Sequence, residues 1–503
     1  MSNLSDLIPA GSGQNNIDFV ADGAITSGKP VILNSAGTVT PVAETTTNYT
    51  ADLDQTKNYV GGSQNNITYA VFNKTGDKIC AGQRDQTTDN YLRVRIGTIS
   101  GETISWGSQT VSTSAKSNGF GIWASPHDEN EFLILNKAGS SLRTLTISSG
   151  TSFTLGTTVA PANIYEGSVA YDTVTAGKFA LVYAPSGGVG RCNIGTISSG
   201  TITMSSTNND YTSAAPSYPF FNQVCYNADG NVIVTCQAQG ASPENLEVRR
   251  GVVSGDTVTF DAYSVVESAG TQIHDQKTIS TNVCSYDTVA TDYLFVYGTG
   301  ASGANAKTGS LSGSTWTFTA VDTVGSGADH VNGIISSGMG MGLAQYQGTS
   351  EHMTVCPITI SASRVCTFGS ETEINTNANN SSNNLDLAQW AGSPSGFYLN
   401  AYVAETPSPD RAKISFSQVA GSITTANLTA TNLLGIASAA ILDTATGTIN
   451  TWGSRNEVQT SLTIGSDYYV QSDGTITTTS TSPAQLIGTA ITATQINIKD
   501  YTG

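Results

Sequence analysis

The chain has 503 residues, only 12% of them charged, with 38 acidic side chains against 21 basic ones and a formal net charge of −17. A mean field of that sign repels phosphate backbones, and no Lys/Arg cluster interrupts it, so nucleic acid is excluded as a partner. Gly fills 52 positions and Thr, Ser, Val, Ile and Asn dominate the text, which excludes a helical bundle or coiled coil and predicts an all-β fold.

The opening stretch, MSNLSDLIPAGSGQNN, has neither the basic start nor the apolar core of a signal peptide. No later stretch approaches the roughly 20 apolar residues that cross a bilayer. The expectation is a protein made soluble in a cytoplasm, with no membrane insertion. GKPVILNSAGTVT (28–40) then reads as a strand, a Gly turn and a strand, and the Thr/Asn-rich segment near 46–58 as a connection.

From there one phrase recurs seven times: an alternating strand, a small Ser/Gly/Ala turn and a second Thr-rich alternating strand. The copies are RVRIGTISGETISWG from 93, LRTLTISSGTSFTLG from 142, RCNIGTISSGTITMS from 191, EVRRGVVSGDTVTF from 247, AKTGSLSGSTWTF from 306, TVCPITISASRVCTFG from 354 and KISFSQVAGSITTANL from 413. Their turns, at Gly101, Gly150, Gly200, Gly255, Gly313, Ala362 and Gly421, are 49 to 59 residues apart. A Gly turn between two period-2 runs is a hairpin signal, because Gly adopts the positive φ that tight hairpins require. Upstream lie further strand pairs, such as GSVAYDTV with KFALVYAPS (167–185) and NQVCYNADGNVIVTCQAQ (222–239).

Four short antiparallel strands per unit, repeated seven times, predict a seven-bladed β-propeller over residues 55–428. Aromatic residues recur at matching places, Trp123, Tyr171, Tyr226, Tyr286 and Trp390 in first strands and Tyr183, Tyr297, Tyr346 and Tyr402 in second strands. They read as packing between neighbouring sheets. The seven cysteines show no CxxC pair and read as buried thiols. Cys356 and Cys366 are symmetric about Ser361 and would face each other across a hairpin, where a bridge would strain the pleat, so none is predicted.

After the repeats, GSDYYVQSDGTIT (465–477) aligns without a gap on residues 28–40. Matching pieces that bracket the repeats predict one small β-domain built from 1–45 and 429–503, with the propeller inserted into it. The C-terminal phrases LGIA, LTIGSDYYV, SDGTIT and LIGTAITAT, with VADGAITSGKPVILNSAGTVTPV as partner piece, resemble a module of tail-fibre and other virion proteins of tailed bacteriophages, especially marine ones. That resemblance covers both ends of the chain. It implies a virion structural protein, associated with a tail or fibre, that assembles with other virion proteins in the host cytoplasm and is frequently homotrimeric.

No catalytic constellation is legible. The four histidines, His127, His274, His330 and His352, are not at metal-ligand spacing, so neither a metal nor a cofactor is expected. Asp-box phrases of sialidase-like propellers are missing, and paired carboxylates of a hydrolase cannot be located from spacing alone. The chain is therefore expected to be non-enzymatic, with a purely structural decoration role and a polysaccharide hydrolase as alternatives. Connections between second and third strands, and between blades, emerge on one face of a propeller and are long here. Function concentrates on such loops. Tyr165, Tyr211, Tyr218, His274 and His330 on that face are the candidate ligand-binding residues, suited to stacking on and hydrogen bonding to a host-surface glycan or protein.

Overall fold

In the computed structural model of the chain the described residues are 15–49, 52–59, 65–85, 91–100, 103–115, 120–136, 140–160, 164, 166–185, 188–212, 218–239, 245–268, 284–287, 292–298, 303–325, 329–336, 340–348, 352–361, 363–375, 386–389, 397–404, 411–418, 421–429, 431–480 and 485–499. They form strands, bridges and turns with no helix among them. The chain divides into two compact units, residues 48–421 and residues 1–47 with 422–503.

The larger unit is a β-propeller. Its described residues make seven sheets, each containing a run of four antiparallel strands. Sheet 1 contains Asn65–Phe72, Lys78–Asp85, Tyr91–Ser100 and Thr103–Trp106; sheet 2 Phe120–Ala124, Glu131–Asn136, Ser141–Ser149 and Ser152–Leu155. Sheet 3 contains Glu166–Tyr171, Lys178–Ala184, Arg191–Ser198 and Thr201–Met204; sheet 4 Tyr218–Tyr226, Val232–Gln239, Leu246–Ser254 and Thr257–Phe260. Sheet 5 contains Cys284–Asp287, Asp292–Gly298, Ala304–Ser312 and Thr315–Phe318; sheet 6 Asp329–Ser336, Met341–Gln347, Met353–Ile360 and Cys366–Phe368. The first strand of each sheet lies against the first strand of the next, and that of the seventh lies against that of the first. The sheets therefore close on themselves.

Sheet 7 contains Asp386–Gln389, Phe397–Ala404 and Arg411–Gln418, and its outer strand is Asp52–Tyr59, with Ile414 opposite Asn58 and Phe416 opposite Gln55. The hairpin expected from KISFSQVAGSITTANL does not form. Gly421–Ala426 pairs instead with Glu44–Tyr49, which overlaps the start of the segment near 46–58 read as a plain connection. Pairing the beginning of the propeller with its end closes the ring through backbone hydrogen bonds.

Local chemistry explains the regularity. In sheet 3 the two residues between Ser198 and its partner Thr201 are Ser199 and Gly200, with φ of 49° and 75°, the pair of positive values that matches the twist of a two-residue hairpin. Four residues into the third strand, Gly195 leaves room for the Phe179 ring, which a Cβ would meet at 2.1 Å. After the fourth strand the chain breaks step and a short tail returns to the start of the third strand, as where Asn209 pairs with Cys192 and Thr372 with Val355.

Apolar faces bury between neighbouring sheets. Leu133, Leu135 and Leu142 of sheet 2 pack with Val169, Tyr171, Phe179, Leu181 and Tyr183 of sheet 3. Tyr226, Tyr297 and Tyr346 are equally buried in the corresponding interfaces, while Trp123 and Tyr286 are partly buried. Trp390 and the Tyr402 side chain lie outside the described residues. Cys80, Cys192, Cys236, Cys356 and Cys366 are buried free thiols and Cys225 is half-buried. Cys366 lies opposite Ile360, not Cys356, because the hairpin register centres on Ser363 and not on Ser361.

The smaller unit consists of two five-stranded sheets with one topology, on top of the pair that contains Gly421–Ala426. The first sheet uses Asn16–Val20, Pro30–Leu33, Val39–Pro41, Leu433–Ala437 and Thr446–Thr451; the second uses Arg455–Asn456, Asp467–Val470, Ile476–Thr477, Gln485–Ala490 and Ile496–Ile498. In both, the first strand is followed across the sheet by the fifth, fourth, second and third. Backbone bonds repeat with it: Gly28 N to Ala437 O at 3.0 Å matches Gly465 N to Ala490 O at 2.8 Å, and Asn34 N to Thr38 O at 2.9 Å matches Gln471 N to Thr475 O at 2.8 Å. The unit is thus an internal duplication, and the connection from third to fourth strand holds the propeller in the first copy and only residues 478–484 in the second. Ile32, Leu433 and Ile436 of one copy share a core with Tyr468, Val470, Ile487 and Ile496 of the other.

Candidate functional site

The long-loop face was expected to carry five ligand-binding residues. Tyr165 and His274 lie outside the described residues. Tyr218 and His330 are placed at the starts of the first strands of sheets 4 and 6, not in loops, and their side chains lie outside the description. Tyr211 is a correction: it is 1% exposed. Its hydroxyl donates to Asn222 Oδ1, its ring lies 5.7 Å from that of Phe260, and Gly190 makes room for it, since a Cβ there would meet the ring at 2.4 Å. A tyrosine after a polar loop reads as exposed from sequence, yet here the ring fills the seam between two sheets and the hydroxyl finds a buried acceptor.

What the structure does bring together near that face is a polar corner at the end of the second strand in sheets 2, 3, 5 and 6, beside the break in the outer strand. In sheet 3, Tyr183 Oη and Asn193 Nδ2 both donate to Asn208 Oδ1, at 3.5 and 3.1 Å. In sheet 6, Tyr346 Oη donates to Glu371 Oε1 at the same position, and Cys356 Sγ donates to Gly369 O at 3.1 Å. In sheet 5 the acceptor comes from the preceding sheet's tail: Tyr297 Oη donates to Glu267 Oε2 at 2.6 Å, and Lys307 Nζ donates to the same oxygen at 3.1 Å and to the Val266 carbonyl. Burial together with Glu371 holds the Tyr346 hydroxyl well above the ordinary phenol range, and burial with Glu267 does so for Tyr297. Burial raises the Glu267 carboxyl, but the Tyr297 hydroxyl and Lys307 outweigh it, and the net displacement is downward.

Sheet 2 carries the same corner with different occupants. Asn136 stands where sheets 3, 5 and 6 have Tyr183, Tyr297 and Tyr346, and where sheets 1 and 4 have Gln83 and Cys236, as the registers of second and third strands establish. Arg143 stands where sheet 3 has Asn193, and its Nη2 donates to Thr158 Oγ1 at 2.7 Å. The shorter Asn136 leaves a cavity between sheets 1 and 2, lined by Leu92, Val94, Ile134, Asn136, Arg143 and Thr158 among others. The tyrosines of these corners were read in the sequence only as packing, and their polar partners were missed. The signal was present as polar residues interrupting the third strands, Arg143, Asn193, Arg249 and Lys307, six or seven positions ahead of the turn glycine.

The opposite face carries a chain of loop-to-loop hydrogen bonds. Asn73 Nδ2 of sheet 1 donates to Glu129 O of the sheet 2 loop at 3.2 Å, Lys74 Nζ donates to His127 O at 3.1 Å, and His127 Nε2 donates to Asp172 O of sheet 3 at 2.7 Å. Arg364 of sheet 6 forms an ion pair of 2.7 Å with Asp292 of sheet 5, which is 3% exposed as a residue. These contacts tie sheet to sheet. Among the described residues no three His, Cys, Asp or Glu side chains come together as a metal site.

No family model and no curated protein matches the chain. Among solved structures it is similar to a protein from Lactobacillus plantarum at 12% identity, covering 72% of this chain and 96% of that one, with a TM-score of 0.45. It is also similar to the periplasmic gluconolactonase of Pseudomonas aeruginosa at 10% identity, covering 71% and 96%, TM-score 0.47. A Penicillium chrysogenum alpha-L-arabinanase complexed with arabinobiose matches at 9% identity over 65% and 99%, TM-score 0.39.

Proposed function

We propose that this chain is a non-enzymatic structural protein of a tailed-bacteriophage particle, associated with the tail or a fibre. In this reading the duplicated five-stranded unit docks onto other virion proteins. The seven sheets are the blades of a seven-bladed propeller, whose long-loop face recognises a host-surface glycan or protein. The observation that carries the reading is the phrase order of the terminal unit, which resembles tail-fibre modules. Support comes from the way a rigid scaffold of interlocked sheets presents its variable connections on one face.

Adsorption competition tests it. Purified protein should protect host cells from the phage that encodes it, and antibody against the chain should label intact particles. A chain found on particles that gives no protection would be a decoration protein. Reducing ends released from envelope polysaccharide would make it a hydrolase, and absence from particles would end the assignment.

A further inference from the structure

The two copies of the five-stranded module pack head to tail. In the first copy Val31, Leu434, Ala437 and Ile449 face one side of the sheet and Ile32, Leu433 and Ile436 the other, in separate clusters. The counterparts of the first set in the second copy, Tyr468, Ile487, Ala490 and Ile496, pack on Ile32, Leu433 and Ile436. The inner side of one module thus covers the outer side of the one before it. Such a heterologous contact does not close on itself, and it leaves one surface unused at each end of the stack.

The two ends are finished differently. On the first copy the inner side is shut by the chain's own loops: Ile25 and Ile441 exchange backbone bonds of 2.8 Å in both directions and lie buried in the same cluster as Val31. On the second copy the outer side has no successor. Its Tyr469, Leu486 and Thr489 are half-buried, where their counterparts Ile32, Leu433 and Ile436 are at most 5% exposed. The adjoining turn differs in the same sense. Gly28, at φ 77°, is covered by the second copy: Gln459 Nε2 donates to its carbonyl at 3.0 Å, and a Cβ on it would meet Val458 O at 3.3 Å. Gly465 makes the same turn at φ 80°, yet a Cβ there would meet no described atom within 4 Å.

The residues that flank these turns reverse their chemistry. Ser27 precedes Gly28 and Ser438 follows Ala437; in the second copy Ile464 and Ile491 hold those places, 68% and 43% exposed. They lie on neighbouring segments, because Gly465 N donates to Ala490 O at 2.8 Å and Leu462 N to Ala493 O at 3.0 Å. The same turn forms with serine, so the fold does not require isoleucine, and two large apolar side chains set together in water mark a contact surface. No charged residue occurs in 458–466 or 485–498, although the chain carries a net charge of −17.

We propose that the open end of the second copy, with Ile464 and Ile491 at its turn and Tyr469 and Leu486 on its outer side, receives a third β-module carried by a different virion polypeptide. The partner continues the interface that already joins the two copies. It presents an uncharged, apolar sheet face with no covering loop, and a hydrogen-bonding edge toward Thr489, whose hydroxyl donates to Asp467 beside Lys499. A second copy of this chain does not extend the stack, because its own inner side is shut by Ile25 and Ile441. The proposal rests on reading the duplicated unit as the part that docks within a phage particle, and it names the docking end and the chemistry of the partner.

The test compares phage carrying the full-length wild-type chain with phage carrying Ile464→Ser together with Ile491→Ser, the residues of the first copy. The purified variant should keep its thermal midpoint within about 2 °C and sediment as the wild type does. Its copies per particle, counted by quantitative mass spectrometry, should fall about tenfold or more. In a separate arm that does not depend on assembly of that variant, Ile464→Cys should react with a maleimide in the purified chain and lose that labelling in intact particles, read on the peptide that contains it. A folded double variant incorporated at the wild-type level, or a cysteine at 464 that stays reactive in particles, overturns the docking end and leaves the particle reading standing. Self-association of the purified wild type that the double variant abolishes makes the occupant a second copy and overturns the proposal as well. Absence of the wild-type chain from particles ends both readings together.

Discussion

Removing the Glu267 carboxylate should cost the propeller more than removing the lysine that faces it. Lys307 is 8% exposed, and its ammonium has two acceptors, the Val266 carbonyl and Glu267 Oε2. Glu267→Ala leaves that buried charge with one carbonyl and strands the Tyr297 hydroxyl. Loss of one partner of a buried pair typically costs about 3–5 kcal/mol, and the surviving carbonyl places the expectation near the lower end, about 3 kcal/mol. Lys307→Met leaves Glu267 bonded to Tyr297 with a side chain 27% exposed to water, so about 1 kcal/mol is expected.

Guanidinium unfolding followed by tryptophan fluorescence reports this directly, since Trp316 packs in the same cluster as Tyr297. The shift in midpoint should be read at constant slope. The pH dependence has a definite sign. Glu267 titrates below the ordinary glutamate value of 4.5, so its contribution is complete above that pH and is lost as pH falls through the lowered folded value; Glu267→Gln should flatten the curve there. A Glu267→Ala cost under about 1 kcal/mol, or Lys307→Met proving the more damaging, would refute the reasoning.

Three further outcomes are expected. The duplicated unit should fold without the propeller when Ala43 is joined to Asn427 through an Asn-Gly turn, because those residues already exchange backbone and side-chain bonds at 3.2 and 2.9 Å; a non-cooperative melt by circular dichroism would count against it. Burial pushes the thiols of Cys192, Cys236, Cys356 and Cys366 up to about 12, so iodoacetamide at pH 8 should leave them unmodified in the native protein and label them in guanidinium, by peptide mass spectrometry. Tyr211→Phe should destabilise by about 1–2 kcal/mol and Tyr211→Ala by about 3–5 kcal/mol in the same unfolding assay, whereas an exposed loop tyrosine would give near zero for both.

The hairpins were legible because their chemistry is local. Ser199 and Gly200 sit between two alternating runs, and only a tight turn with two positive φ values suits that text. Asp52–Tyr59 was not legible as the outer strand of sheet 7: DLDQTKNY lacks apolar alternation, and its partner strand Arg411–Gln418 lies more than 350 residues away. The kinship of residues 28–40 and 465–477 could be read directly, whereas the shared five-strand order could not. It depends on pairings such as Pro30 with Ile436 that bridge the whole propeller. The corner at Asn136 and Arg143 escaped notice for a related reason. Its meaning lies in the tyrosine absent from that position, visible only once register aligns the second strands. Tyr211 was misread because its neighbours in sequence are polar while its neighbours in space are not.

The strand that completes the seventh sheet carries a kinetic burden. On a ribosome adding about 5–20 residues per second, Asp52–Tyr59 emerges roughly 20 to 70 s before Gln418, the last residue of the strand it must join. Throughout that interval the nascent chain holds a growing arc of sheets with an unmatched flank at either end. Sister polypeptides on the same message could dock there in place of the proper segment. The second copy of the duplicated module needs no such wait, since all its strands leave the tunnel within one short stretch, and faster translation or a chaperone that shields the arc should therefore raise the yield of closed rings without altering how that module matures.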